Sequence, residues 1–259
     1  DHLTAALRAT LTLGDLDVSG NVVWGYEPLP RLALDPDLSI VGGAVLEGPG
    51  GTDGCLFLSV PCTEGVSMEV QLTFLTDDGA LDLESTDRMV DFALDCGVTG
   101  LTVLGIMGEA TKLTADESRV FVKTVLARVA GRVPVVVGAS APGFAPMREL
   151  TESVMAQGAA GVMVAPPHPL RSDDQIVAYF EMVQTTLGDS VPWVLQDHPV
   201  ATGVQMSTQV ILRIIENAPG CVMLKHEDCP GLAKLSAIRA ASEHGTTRRV
   251  SILTGNGGG

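Results

Sequence analysis

Seven short apolar runs recur along the chain at nearly constant spacing, and this recurrence constrains the fold more than any other feature. The runs are Val70–Phe74, Gly100–Gly105, Val133–Gly138, Gly161–Pro166, Pro192–Asp197, Cys221–Lys225 and Val250–Gly255. Their last residues are separated by 31, 33, 28, 31, 28 and 30 positions. Each run is continuously apolar rather than alternating, as a parallel strand covered on both faces requires. Amphipathic helical stretches lie between them: Thr86–Cys96, Asp116–Val129, Asp173–Leu187 and Ser207–Glu216. The second opens with Thr114-Ala115-Asp116-Glu117, a capping box that satisfies orphan backbone donors at a helix start. Repeated βα units predict an α/β fold, a (β/α)8 TIM barrel ahead of an open doubly wound sheet.

A closed barrel needs an eighth strand between the seventh and the first. Cys55–Val60 lies too close to Val70 for a helical crossover, and the Gly-rich connection that follows Ile40–Leu46 shows no helix. The eighth unit is therefore expected to be absent from this chain. Residues 1–66 form a different segment, acidic and rich in Gly and Pro. Its two short apolar runs, Ile40–Leu46 and Cys55–Val60, read as strands, and it carries no chemical motif. Residues 67–259 are expected to form the barrel domain, strands one to seven.

Charge limits the partners. The 259 residues include 16 Lys and Arg against 31 Asp and Glu, a net charge of −15. That field repels nucleic acid and anionic membrane surfaces, so neither is expected as a partner. No apolar run is long enough for a membrane span, and Asp1-His2-Leu3 does not begin a secretory signal. The five cysteines (Cys55, Cys62, Cys96, Cys221, Cys229) form no CxxC pair, which predicts reduced thiols in a cytoplasmic protein.

In such barrels the chemistry sits at the C-terminal ends of the strands. Lys225 ends the run Cys221-Val222-Met223-Leu224-Lys225. Burial disfavours the charged form of a lysine, and the free amine can attack a carbonyl to form a Schiff base. The competing reading is a lysine whose head snorkels into solvent above the barrel.

From about Gln71 to Gly259 the chain resembles the dihydrodipicolinate synthase / N-acetylneuraminate lyase family of Schiff-base aldolases. The matching segments are Thr73-Phe74 with Asp78-Gly79, Gly105-Ile106-Met107-Gly108-Glu109 with Leu113-Thr114, and Val133-Pro134-Val135-Val136-Val137-Gly138. Ala165-Pro166-Pro167, Pro199 with Thr202-Gly203, and Leu224-Lys225 follow in the family's order. The resemblance implies a barrel, Lys225 as the imine-forming lysine, a homo-oligomer (tetramer or dimer), and no metal or organic cofactor.

The departures are specific. The family's Gly-Thr-Thr-Gly-Glu motif, whose threonines hold a substrate carboxylate and relay protons, reads Gly105-Ile106-Met107-Gly108-Glu109 here. Its Tyr-Asn-x-Pro motif, whose tyrosine moves protons during imine formation, reads Gln196-Asp197-His198-Pro199. An amide is no acid or base near neutrality. The arginine that dihydrodipicolinate synthases place after that proline is replaced around Val200-Ala201, and the aromatic pair after the fourth strand is His168-Pro169. Only Tyr26 and Tyr179 occur in the whole chain. A standard dihydrodipicolinate synthase is therefore not expected.

Side chains alternate along a strand, so Gln196 and His198 should point the same way. A histidine suits proton transfer near neutral pH, which nominates His198 as the replacement acid/base. Glu227, two residues beyond Lys225, reads as a surface residue ahead of a base or a partner of Lys225. Glu109 is expected to bond backbone amides in its turn. The substrate pocket is expected to be lined by Ile106, Met107, Gly138, Gln196, His198 and Gly255. Asp197, His198, His226, Glu227 and Asp228 show no tight ligand spacing, so no metal is expected.

The leading expectation is a lyase or aldolase. In it Lys225 forms a Schiff base with a small 2-oxo acid or aldehyde, and carbon–carbon cleavage, condensation or dehydration follows. Two alternatives stay open. One is a non-catalytic barrel that binds or assembles. The other is a barrel enzyme that holds phosphate on the backbone amides of Gly255-Asn256-Gly257-Gly258-Gly259.

Overall fold

The computed structural model describes the backbone of residues 5–13, 16–24, 42–47 and 53–58, and residues 75–255 apart from 77, 78, 107, 109 and 169. In the first segment, β1 (Ala5–Leu13) pairs antiparallel with β2 (Leu16–Trp24), and β3 (Gly42–Glu47) with β4 (Asp53–Leu58). The two expected strands at Ile40–Leu46 and Cys55–Val60 are thus one hairpin, β3–β4. The expected strand at Val70–Phe74 lies outside the described residues.

Six of the seven apolar runs are strands of one parallel sheet. They are β5 (Leu101–Val103), β6 (Val135–Gly138), β7 (Gly161–Val164), β8 (Trp193–Asp197), β9 (Cys221–His226) and β10 (Ser251–Thr254). Their order in the sheet is their order in the chain. A doubly wound sheet reverses its strand order at a switch point, and no reversal occurs between β5 and β10. The winding is therefore that of a barrel.

Among the described residues, seven helices lie along these strands: α1 (Leu83–Asp95), α2 (Ala115–Val129), α3 (Phe144–Ala156), α4 (Asp173–Leu187), α5 (Pro199–Thr202), α6 (Thr208–Asn217) and α7 (Leu232–Glu243). Apart from the single turn of α5, each packs on the next in one layer. Four begin with a side-chain cap, from Asp82, Thr114, Ser172 and Ser207, so their starts are legible as sequence. Sequence periodicity does not single out α3 and α7, which begin at Gly143 and Gly231 without a side-chain cap. Within α7 only Ile238 is fully buried, so its apolar stripe is faint.

The core lies between sheet and helices. Val103, Val135, Val137, Val162, Val164, Leu195 and Leu224 meet Phe121, Phe180, Ile211 and Ile214 from the helices. Phe180 of α4 stacks on Trp193 of β8 with ring centroids 5.8 Å apart. Trp193 Nε1 donates to Gln184 Oε1 at 3.1 Å, which satisfies the one polar atom that this large side chain brings inside.

At the C-terminal face the ends of β5 and β6 come together tightly. Leu104 has a φ of 54°, a left-handed conformation unusual for a leucine. Its carbonyl is turned onto Gly138, where an added Cβ would sit 1.9 Å from the Leu104 oxygen. Gly138→Ala forces backbone apart at that point, and an overpacked core site loses about 1–3 kcal/mol. Its urea midpoint is expected to fall by the corresponding amount, while Gly143→Ala, where the nearest atom is 3.6 Å away, leaves it nearly unchanged.

Candidate active site at the ends of β8, β9 and β10

The parallel register sets Gln196 of β8 beside Lys225 of β9, and Lys225 beside Leu253 of β10. Partners in register share a face, and the next residues along, Asp197 and His226, occupy the opposite one. Two separate polar clusters result, back to back across the same strand ends.

The first cluster contains Lys225, whose side chain is 1% exposed. Its Nζ meets Glu227 Oε1 at 2.9 Å, and the Glu227 side chain is itself only 6% exposed. The other carboxylate oxygen, Oε2, accepts a hydrogen bond of 2.8 Å from Gln196 Nε2. A carboxylate only accepts, so the amide must present its nitrogen. Gln196 is therefore a holder of Glu227 rather than a proton-transfer group. Behind the carboxylate stands Gly255, where a Cβ would come within 2.5 Å of Glu227 Cγ and 2.7 Å of Oε1. The surface position expected for Glu227 is thus wrong. Strand alternation gives its direction, but its burial depends on β10 closing over it at Gly255.

The second cluster contains Asp197, fully buried. Its Oδ2 accepts from His226 Nδ1 at 2.9 Å and from Lys234 Nζ at 3.1 Å. Lys234, from the first turn of α7, also donates to Asp228 Oδ2 at 2.6 Å. Burial alone would raise the Asp228 carboxyl, but the hydrogen bond and charge of Lys234 outweigh it and hold it below its ordinary value. Sequence reasoning missed Lys234, because nothing in a linear reading brings α7 to the end of β8.

The other expected site residues distribute as follows. His198 is buried at the start of α5, where its carbonyl accepts from the Ala201 and Thr202 amides and from Thr202 Oγ1. Its ring Nδ1 has no partner among the described residues. The carboxylate paired with Lys225 is that of Glu227. Ile106 lies half-buried in the turn after β5, and Gly138 serves the close approach to Leu104. Met107, Glu109 and Asn256–Gly259 lie outside the described residues. The five residues weighed as metal ligands are split: Glu227 faces Lys225, His198 starts α5, Asp197 and Asp228 share the Lys234 ammonium, and His226 pairs with Asp197. Among the described residues, no three His, Cys, Asp or Glu side chains converge as metal ligands do.

Comparison with known proteins identifies the family of the fold. The model of the dihydrodipicolinate synthetase family matches residues 63–245. The chain belongs to that family. Members of the family are TIM-barrel lyases that work through a Schiff base, and the parallel strands β5–β10 are part of such a barrel. L-2-keto-3-deoxyarabonate dehydratase of Azospirillum brasilense is 35% identical over 181 residues, 68% of this chain and 56% of the relative. A 4-hydroxy-tetrahydrodipicolinate synthase of Thiobacillus denitrificans is 29% identical over 160 residues, 61% of this chain and 53% of the relative. The chain thus spans about half the length of the curated relatives it matches. Among solved structures, a dihydrodipicolinate synthase from Rhodopseudomonas palustris is 48% identical with a TM-score of 0.70, covering 73% of this chain and 62% of that one. The prophage protein YagE of E. coli K12, solved in complex with pyruvate, is 25% identical with a TM-score of 0.64, over 71% of this chain and 61% of that one. Among the described residues, no helix is long and apolar enough to cross a membrane.

The Asp228 carboxyl gives a pH test of the second cluster. Its folded value is depressed, so the stability it contributes is present above its unfolded value of about 3.9 and is lost as pH falls through the lower folded value. Asp228→Asn is expected to cost about 1 kcal/mol in urea unfolding at pH 6. The gap to the parent protein should close as pH falls through the lowered folded value of Asp228.

Proposed function

We propose that this chain carries a Schiff-base lyase site in which Lys225 Nζ is the nucleophile and Glu227 the proton-transfer group. The substrate is a small 2-oxo acid or aldehyde. The observation that carries this reading is the buried contact of 2.9 Å between Lys225 Nζ and Glu227 Oε1 at the C-terminal end of β9. Attack of the amine on the carbonyl carbon gives a carbinolamine, from which water must leave to form the imine. Glu227 stands where it takes the proton released by nitrogen and returns it to the departing hydroxyl. Gln196 holds the carboxylate for that exchange, so an amide and a carboxylate together occupy the role that the family gives to a tyrosine. The imine then draws electrons from the adjacent carbon and permits loss of a neighbouring proton, hydroxyl or carbon fragment.

Among these outcomes, dehydration of a 2-oxo-3-deoxy acid is the one we favour, because the dehydratase relative covers the largest share of this chain among the curated relatives named above. The replacement of both motif threonines by Ile106 and Met107 argues against a standard dihydrodipicolinate synthase. Ile106, Met107, Gly138, His198 and Gly255 would border the substrate, in a homo-oligomer that uses no metal or organic cofactor.

Borohydride reduction in the presence of pyruvate and a panel of 2-oxo acids, read by peptide mass, tests the proposal. A reduced adduct on Lys225, absent in Lys225→Ala, is expected. Glu227→Gln should slow trapping by about 100-fold, the usual contribution of a general acid/base. Gly255→Ala, whose methyl group displaces the Glu227 carboxylate without removing it, should slow trapping by about 10-fold. A folded protein that gives no adduct with any of the panel would move the assignment to a non-catalytic, binding barrel.

A further inference from the structure

The polar cluster behind the site has no part in that chemistry, yet it fully buries Asp197 and His226 and partly buries Asp228 and Lys234, which is costly unless the groups compensate one another. Its architecture is specific. The Asp197 carbonyl accepts the Glu227 amide at 2.8 Å, one residue past the end of β9. On the other side, the Gly255 amide donates to the His226 carbonyl at 2.8 Å. Beyond these rungs the chain leaves the sheet, and side chains take over. His226 is held by Asp197, and Asp228 by Lys234, so both sequence neighbours of Glu227 are fixed from the face opposite to Lys225.

Lys234 joins the two ties, since Asp197 and Asp228 both accept from its Nζ. Its location runs against helix preferences. A cation in the first turn of α7 opposes the helix dipole, and α7 starts at Gly231 with no side-chain cap. Gly231 is required there, because a Cβ would stand 2.4 Å from His226 Nε2. The start of α7 is thus shaped around the Asp197 and Asp228 carboxylates and the imidazole rather than for helix stability.

We propose that Lys234 is a positioning residue. By gripping Asp197 and Asp228 it fixes the segment from His226 to Asp228 and thereby sets where the Glu227 carboxylate meets Lys225. The groups that face it are Asp197 on β8, Asp228 on the loop after β9, and, through Asp197, His226. Its effect on trapping rests on the Schiff-base reading, whereas its effect on the Lys225–Glu227 contact does not.

The full chain is compared as parent, Lys234→Met and Lys234→Arg, each normalised to its folded fraction by thermal melting. The first readout is borohydride trapping of pyruvate on Lys225 as a function of pyruvate concentration and pH. The second is the pH profile of Lys225 acetylation by acetic anhydride, which requires no imine. Lys234→Met is expected to trap at least 10-fold more slowly at saturating pyruvate, with the half-saturating concentration within 2-fold of the parent. Both pH profiles should be displaced, and Lys234→Arg should recover at least half of the rate. Unchanged profiles and rates in Lys234→Met overturn the proposal, as does an equal loss in both variants without displacement of either profile. If the parent protein gives no adduct, the Schiff-base reading falls, and the acetylation profiles alone decide: displaced in Lys234→Met they uphold the positioning role, coincident they overturn it. Should Lys234→Met fail to fold, Asp228→Asn, which releases only one of the two ties, is read by the same measurements and criteria.

Discussion

A lysine amine removed from water at the end of a buried strand needs a compensating acceptor, and the Lys225–Glu227 contact supplies it. Much of the surrounding structure follows from that need. The carboxylate must also be buried to reach Nζ, so its second oxygen needs a donor, which Gln196 provides from the neighbouring strand in register. The carboxylate needs room, and β10 leaves it by presenting Gly255, with no side chain, at the point of contact. Three adjacent strand ends are thus committed to one ion pair. A substitution at any of them acts on the same carboxylate.

The barrel winding was legible because parallel strands covered on both faces must be continuously apolar, and six such runs stand as β5–β10 within a few residues of the expected ends. Capped helices were legible for a comparably local reason: Thr114 and Ser172 announce α2 and α4 in the sequence itself. The starts of α3 and α7 depend instead on what they pack against. For α7 the deciding partners are Asp197 and His226, which are far away in sequence and near only after β8 and β9 pair.

The site was legible in the same uneven way. Lys225 stands out because a cation ends an apolar run. Gln196 stood out only as a departure from a tyrosine, so its placement near Lys225 was expected while its function as a hydrogen-bond donor to Glu227 was not. Strand alternation predicts that Glu227 shares a face with Lys225, yet says nothing of whether that position is covered. Coverage comes from Gly255, thirty residues downstream of Lys225. The same alternation dissolves the loose metal-ligand set, since Asp197 and His226 face away from Glu227 by the pairing of their own strands.

In the proposed site a carboxylate held by an amide stands in for a phenol, and that exchange would have a chemical consequence. A phenol carries no charge near neutrality, whereas a carboxylate does, and so in the proposed reaction a protonated imine nitrogen would gain a counter-ion that a phenol would not provide. A carboxylate is also a weaker base than a phenolate, so it gives up its proton to the departing hydroxyl more readily and accepts one from the substrate less readily. That balance suits steps in which water leaves, such as carbinolamine collapse and elimination of a hydroxyl from a substrate. It suits proton abstraction from an unactivated carbon less well. The apolar Ile106 fits the same selection, since a substrate that sheds a hydroxyl needs fewer hydrogen-bond donors around it at the end of the reaction than at the start.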